Sequence, residues 1–488
     1  NLSPVASNTA ITLAGDANTH FYSDVGCTSE LLSGTTMTSG SSNATIYLKQ
    51  TVVATPTITI DSATHTADTR NQAITAAALD KLVITSITNT INAGICSAIT
   101  IERQDQYDNA ADPASATTIT LAGGTFYGSA GCGGSTISSV DIASGASSIN
   151  IWQRETLSGT NALTFSASGL TSDTDSVTIN SAAIAAIAIT SGTTQSMTAG
   201  DCSSAVTIEL QDQFANAKDA AVVTAVALAS SSGSTTFHSA TDCSDGAITS
   251  INITSGASSV SYRYLDNSAV SAQTLTVTES ALSDTTTFTT TAGPVDHLQI
   301  TTPGRSATAD SCFGPLTIET LDQHNNLRVV EAADSKNFTI TSSGSATFYQ
   351  SSDCSTTPLS SSFTVGQSSK SIYWTDNASG TPLITIADIG SDLTQNYTVN
   401  FAGISQLSVS TAAISATAGV CAGPVAVNAL DQFSNGVTVS ANSDFTLASS
   451  SAASTTFFSD TSCSSDISTT GTIFNGATSA QIYFKDTL

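Results

Sequence analysis

The feature that most constrains this chain is a long-period repeat. The stretch "RQDQYDNA" at 103–110 returns as "LQDQFANA" (210–217), "TLDQHNNL" (320–327) and "ALDQFSNG" (429–436). Its acid falls at Asp105, Asp212, Asp322 and Asp431, in steps of 107, 110 and 109 residues. A second marker places Phe six residues before Cys five times: Phe21/Cys27, Phe126/Cys132, Phe237/Cys243, Phe348/Cys354 and Phe457/Cys463. A third begins at Gly40, Gly145, Gly256, Gly366 and Gly476, with Ile46, Ile151, Tyr262, Ile372 or Ile482 six residues on. Three independent markers with one period mean tandem copies of one structural unit. At 488 residues the chain has room for three to five such units.

Within a unit the pattern is that of strands. In "AVTIELQDQ", Val206, Ile208 and Leu210 alternate with Thr207 and Glu209; in "PLTIETLDQ", Leu316 and Ile318 alternate with Thr317 and Glu319. Period two marks a strand with one buried face. "SINITSGASSVSYRY" and "QTLTVTES" alternate in the same way. Roughly a third of the chain is Ser or Thr, which suits strands and turns rather than requiring disorder. Short strands separated by Gly, Ser, Asn and Asp turns predict a two-sheet antiparallel sandwich per unit. The nearest approach to a helix is "ITAAALDKL" at 74–82, at a junction between units.

On this frame the acidic stretch reads as a turn leaving an inner strand. The Asp side chain accepts from backbone N–H groups two residues on, and the Asn four residues later (Asn109, Asn216, Asn326, Asn435) tolerates a left-handed backbone. The aromatic between them (Tyr107, Phe214, Phe433, but His324 in one copy) tucks over the core edge. A Ca²⁺ site at each turn is the functional rival, but one carboxylate is thin for an ion that takes six to eight oxygens. No cofactor is expected.

The strand, the "DQF-N" turn and the further strand, in tandem, resemble the bacterial immunoglobulin-like repeats of invasin- and intimin-type adhesins and other large surface proteins. The resemblance implies an all-β fold, a linear array of immunoglobulin-like antiparallel β-sandwich domains, used as an extracellular stalk, fibre or coat. The chain departs from that pattern in its regular cysteines and in having no clear Gly before the Asn. The expected units are 1–78 (the C-terminal part of one), 79–183, 184–293, 294–402 and 403–488 (the N-terminal part of one).

The cysteines keep register as well. One lies about ten residues before each Asp (Cys96, Cys202, Cys312, Cys421) and one after each Phe marker (Cys132, Cys243, Cys354, Cys463). Fixed pairs predict disulfides Cys96–Cys132, Cys202–Cys243, Cys312–Cys354 and Cys421–Cys463, hence an oxidising, extracellular setting. Zinc is a poorer reading, because His20, His65, His238, His297 and His324 share no register with the cysteines. Aligning copies on "ITLAG" sets Asn1 level with Asn109. Cys27 is then the odd ninth cysteine, and its partner is expected outside the chain, in neighbouring copies or in further repeats of a longer chain.

Charge and motifs narrow the function. A net charge of −26, from 38 acids against 12 Lys and Arg, argues against nucleic acid and anionic membrane as partners. No apolar run reaches the ~18 residues a spanning helix needs. Hydrolase, nucleotide and metalloprotease motifs are not found, and what is distinctive is repeated where a catalytic group should be singular. Lys49 and Lys485 match in register but Arg154, Leu265 and Thr375 replace them, so a Lys–Asn isopeptide bond in every unit is not expected. Sequons stand at Asn1, Asn43, Asn252, Asn337, Asn377 and Asn396. Trp152 and Trp374 both fall in the strand after the Gly marker, where packing is the expected use. Short junctions such as "TAGPVDHLQIT" restrict swivel, which predicts a semi-rigid rod. The expectation is the shaft of an extracellular fibre, filament or adhesin. The alternatives are a glycan- or protein-binding adhesin module and an S-layer or sheath subunit.

Overall fold

The computed structural model describes residues 3–334, 336–355, 359–388 and 392–488. The chain is nearly all β, with one short 3₁₀ turn at Ala130–Cys132. The third repeat shows the plan. Four strands lie side by side in the order Ile184–Ser191, Val206–Asp212, Ser259–Asp266, Thr235–His238. Five form the facing sheet in the order Gln195–Thr198, Leu282–Thr291, Gln273–Glu279, Thr224–Ser230, Ser250–Ile253. All neighbours are antiparallel except Gln195–Thr198, which runs parallel to Leu282–Thr291. The parallel pair arises because the chain leaves the first sheet after Ser191 and joins the second as Gln195–Thr198. One entering segment therefore covers an edge of both sheets, which blunts the unpaired backbone an edge presents.

The second repeat has the same two sheets, and Thr90–Asn92 is again parallel to the last strand, Asp173–Asn180. The fourth repeats this with Ser306–Thr308 against Thr398–Asn400. Among the described residues, each strand ladder joins strands of one repeat only. The helix-like stretch at 74–82 runs into a strand, Leu79–Ser86.

Alternation decides what fills each sandwich. In Val206–Asp212, Val206, Ile208 and Leu210 are wholly buried, while Thr207, Glu209 and Gln211 are half-exposed. These side chains meet Val226, Leu275, Val277 and Phe288 of the facing sheet. In the fourth repeat Leu316 and Ile318 do the same, with Trp374 stacked on Phe313 at 5.4 Å and edge-on to Tyr397 at 5.3 Å. The two tryptophans are not equivalent. Trp374 faces the core, whereas Trp152 is half-exposed on the opposite face of its strand and pairs across to Tyr127. The same outward cross-strand position holds Tyr22/Tyr47, Tyr349/Tyr373 and Phe458/Tyr483. Tyr483 neighbours Ile482 and so points away from it. It packs with Phe458, Cys463 and Cys421 into a small apolar cluster of its own.

Four disulfides close these outer clusters. Cys96–Cys132, Cys202–Cys243, Cys312–Cys354 and Cys421–Cys463 have Cα–Cα distances of 5.7–5.8 Å. Cys27 carries no disulfide. Its backbone, at φ 53°, has the left-handed conformation of Cys132, Cys243, Cys354 and Cys463, at φ 51–55°.

Candidate functional site: the joint between repeats

Period two carries one step further than the apolar residues. After Val206, Ile208 and Leu210, the next inward position is Asp212. Asp105, Asp212, Asp322 and Asp431 are all 0–2% exposed. A buried carboxylate needs donors, and the turn provides them. Oδ1 of Asp212 accepts from the N–H of Phe214 at 2.8 Å and of Asn216 at 3.0 Å; Oδ2 accepts from Asn216 Nδ2 at 2.9 Å. The left-handed residue is the one before the Asn: Asp108, Ala215, Asn325 and Ser434 have φ 64–71°. This corrects the expectation that Asn takes that conformation. Asn is needed for its amide, not for its backbone.

The remaining bonds leave the turn. Oδ2 of each Asp accepts a backbone N–H from the chain entering its repeat: Ala77 to Asp105, Ala182 to Asp212, Gly293 to Asp322 (2.8 Å each) and Ala402 to Asp431 (3.0 Å). Each Asn reaches a loop of the preceding repeat, 56 to 60 residues earlier in the chain. Asn216 donates to Thr156 O at 2.7 Å and accepts from Ser158 N–H at 2.8 Å. Asn109 does this with Thr51 and Val53, Asn326 with Asn267 and Ala269, and Asn435 with Asn377 and Ser379, at 2.7–2.9 Å. The side-chain amide thus imitates a strand segment, bonding a carbonyl and the N–H two residues on. Asp pins the linker and Asn pins the neighbour, in four joints.

A ring completes the contact. Phe214 packs against the core of the second repeat, and Phe433 against that of the fourth. Phe214 lies so close over Gly94 (φ +81°) that a methyl group there would come within 2.6 Å of its Cζ. His324 covers Gly200 (φ +85°) in the same way. The turn holding these glycines is anchored from within its own repeat: Gly94 N–H donates to Glu155 O, Gly200 to Asp266 O and Asp310 to Asp376 O, at 2.6–3.0 Å.

Those acceptors belong to a second recurring position. Gln50, Glu155, Asp266, Asp376 and Asp486 each stand ten residues after a marker glycine, so the signal was present. Asp266 is buried and accepts from Thr235 Oγ1 at 2.6 Å and Ser268 N–H at 2.8 Å. Asp376 accepts from Ser345 Oγ at 2.6 Å and Tyr397 Oη at 2.5 Å. These acids shape the loop that the next repeat's Asn grips.

The electrostatics match the geometry. Burial pushes the Asp105 carboxyl up, but the Asn109 amide and the N–H groups of Ala77, Asn109 and Tyr107 outweigh it and hold its pKa at about 2. Asp212, Asp322 and Asp431 are also lowered, with burial opposing and the matching donors prevailing. Carboxylate oxygens ringed by N–H donors offer a cation little, since the ligand positions face hydrogens.

One polar chain outside the joints was not legible in the sequence. His238 Nε2 lies 2.9 Å from Thr236 Oγ1, and Nδ1 lies 3.0 Å from Asp245 Oδ1. The order hydroxyl–imidazole–carboxylate is that of a hydrolase, but His238 is only 6% exposed. Asp245 Oδ2 is taken by Ser239 Oγ and by the N–H groups of Ser239 and Ala240. The chain buckles the loop around Cys243. No group of three His, Cys, Asp or Glu that could hold a metal occurs among the described residues. No described helix is long and apolar enough to cross a membrane. The sequon residues Asn43, Asn252, Asn337, Asn377 and Asn396 are exposed; Asn1 lies outside the described residues.

No protein-family model and no curated protein matches the chain. Among solved structures it is similar to FdeC, an Escherichia coli adhesin, at 15% identity over 68% of this chain and all of that one (TM-score 0.31). It is similar to invasin, a bacterial integrin-binding protein, at 10% identity over 83% of this chain and 74% of that one (TM-score 0.29). A third is surface-layer protein SbsC, domains 1–6, at 14% identity over 99% of this chain and 62% of that one (TM-score 0.23). The tandem-sandwich architecture rests on the strand pairings themselves.

Proposed function

We propose that this chain is the shaft of an extracellular fibre or adhesin, built from disulfide-stapled sandwiches at 79–183, 184–293 and 294–402 with partial units at 1–78 and 403–488. The observation that carries this reading is the fourfold recurrence of one Asp–Asn joint. Each joint ties loop, linker and turn by at least four hydrogen bonds, so neighbouring units resist rotation about the linker. Individually such bonds contribute about 1 kcal/mol, and more to a charged acceptor. Conserving the same set at every junction favours reach and stiffness over a single binding or catalytic centre. The disulfides favour an oxidising, surface or secreted setting. Further repeats of a longer chain, or neighbouring copies, are the partners this reading implies, and the partner of Cys27 is then expected among them.

Small-angle scattering and electron microscopy of the purified chain test the proposal. Strands rising about 3.3 Å per residue, four to five units long with loops, give a rod on the order of 150–200 Å. Single uniform rods of that length are expected. A compact particle or freely jointed beads would overturn the shaft reading, and a two-dimensional lattice would favour a coat subunit instead.

A further inference from the structure

The disulfides have a place in the fold that goes beyond stapling one sandwich. In the second and third repeats the turn contacted by the next repeat's ring stands two residues before the first cysteine, Gly94 before Cys96 and Gly200 before Cys202, and in the fourth Asp310 holds the same place before Cys312. We propose that each of the disulfides Cys96–Cys132, Cys202–Cys243 and Cys312–Cys354 is a brace for the joint that follows it, so that the joint is stiffer with the bond in place than without it. The inference rests on the shaft reading for its purpose, but its geometry is independent of it.

The third repeat carries the argument. Residues 199–205 connect Gln195–Thr198 in one sheet to Val206–Asp212 in the other, and belong to no strand. Within that crossing Ala199 N–H donates to Thr291 O, and Gly200 N–H to Asp266 O. Cys202 makes a single bridge to Leu265, and its sulfur is joined to Cys243. Cys243 sits in the loop buckled by His238 and Asp245, beside the outer face of the first sheet. The bond thus ties the crossing to a second anchored loop. On its other side the crossing touches the fourth repeat through one group, and the neighbouring loop after Asp266 touches it through another. His324 covers Gly200, and the loop following Asp266 binds Asn326 through Asn267 O and Ala269 N–H. Cutting the bond frees Cys202 from one of its two supports, two residues from the surface on which His324 rests. It removes no side chain from the sandwich core, because Val206, Ile208 and Leu210 pack against Val226, Leu275 and Phe288 without it. The second and fourth repeats have the same order, with Phe214 and Phe433 as the rings.

Hydrogen exchange on the intact chain distinguishes a brace from a mere staple. In the double variant Cys202→Ser/Cys243→Ser, the amides of Ala269 and Gly293, which donate across and along the joint, are expected to exchange about tenfold faster. Strand Val206–Asp212 should keep its protection, and Ser158 and Ala182 in the preceding joint, whose brace Cys96–Cys132 is intact, should not change. Unchanged Ala269 and Gly293 would overturn the proposal. So would an equal loss of protection through Val206–Asp212, which would make the disulfide a staple of the sandwich alone. A chain that images as something other than a rod, yet shows this exchange pattern, would remove the shaft reading and leave the brace standing.

Discussion

At Asp322 a carboxylate sits at the inward end of a strand, where an apolar side chain would continue the pattern. It is tolerated because three backbone N–H groups from the linker and the turn point at it, those of Gly293, His324 and Asn326, with the Asn326 amide as a fourth donor. Replacing it with Asn keeps the shape and sets an NH₂ among N–H donors. Asp322→Asn is therefore expected to destabilise the fourth repeat by about 1.5–3 kcal/mol, the range for hydrogen bonds to a charged acceptor. Trp374, buried in that repeat, reports it through the urea dependence of its fluorescence. An unchanged midpoint would mean that the carboxylate's charge is not what holds the turn. Asn326→Ala should cost less within the repeat, since half of its bonds belong to the joint.

At the scale of elements, the joint is a turn seated on a turn. In the second and third repeats the glycine at its centre is required by close approach as well as by backbone angle, whereas Asp310 takes that place in the fourth. At Gly94 any side chain meets the Phe214 ring, and φ +81° strains a β-branched residue further. Gly94→Val is expected to lift the ring from its seat while leaving strand Ser97–Asp105 in place. Phe214→Ala should empty the seat at a cost of about 2 kcal/mol, below the 3–5 kcal/mol of a fully buried Phe because the ring is half-exposed. The check is proteolysis at the loop 155–159. Both variants should be cut faster there than the parent, and a parent-like rate in both would show that the ring does not secure the joint.

For the whole molecule, four joints in series respond together to pH. The clamp carboxyls have folded pKa values below their unfolded ones, about 2 for Asp105 against ~3.9 in an unfolded chain. A depressed carboxyl contributes stability that is complete above the unfolded value and lost as pH falls through the folded one. Rod length and stiffness should therefore hold from neutral pH down to about pH 4–5, and fade as the pH drops toward 2. Scattering across a pH series measures this. A rod that already bends at pH 6 would show that the clamp carboxyls are not what holds the joints straight.

What the sequence determined by itself follows from properties that are local or periodic along the chain. The alternation at Val206, Ile208 and Leu210 told which face is buried, because side chains of a strand point to opposite sides at every step. The 107–110-residue spacing showed that the unit recurs, and the common register of Cys202 with Cys243 and of Cys312 with Cys354 indicated pairs. The same alternation placed Asp212 on the inward face, and the marker glycine counted forward to Asp266. Neither signal says what the acid is bonded to. Only the tertiary structure decided that Asn216 serves the preceding repeat, because Thr156 and Ser158 come within reach of its amide only after two sandwiches have folded and stacked end to end. Likewise Gly94 and Phe214 lie 120 positions apart in sequence number and no pattern along the chain links them. Their contact exists because the chain's own direction from one sandwich to the next brings the head turn of one onto the tail turn of the other.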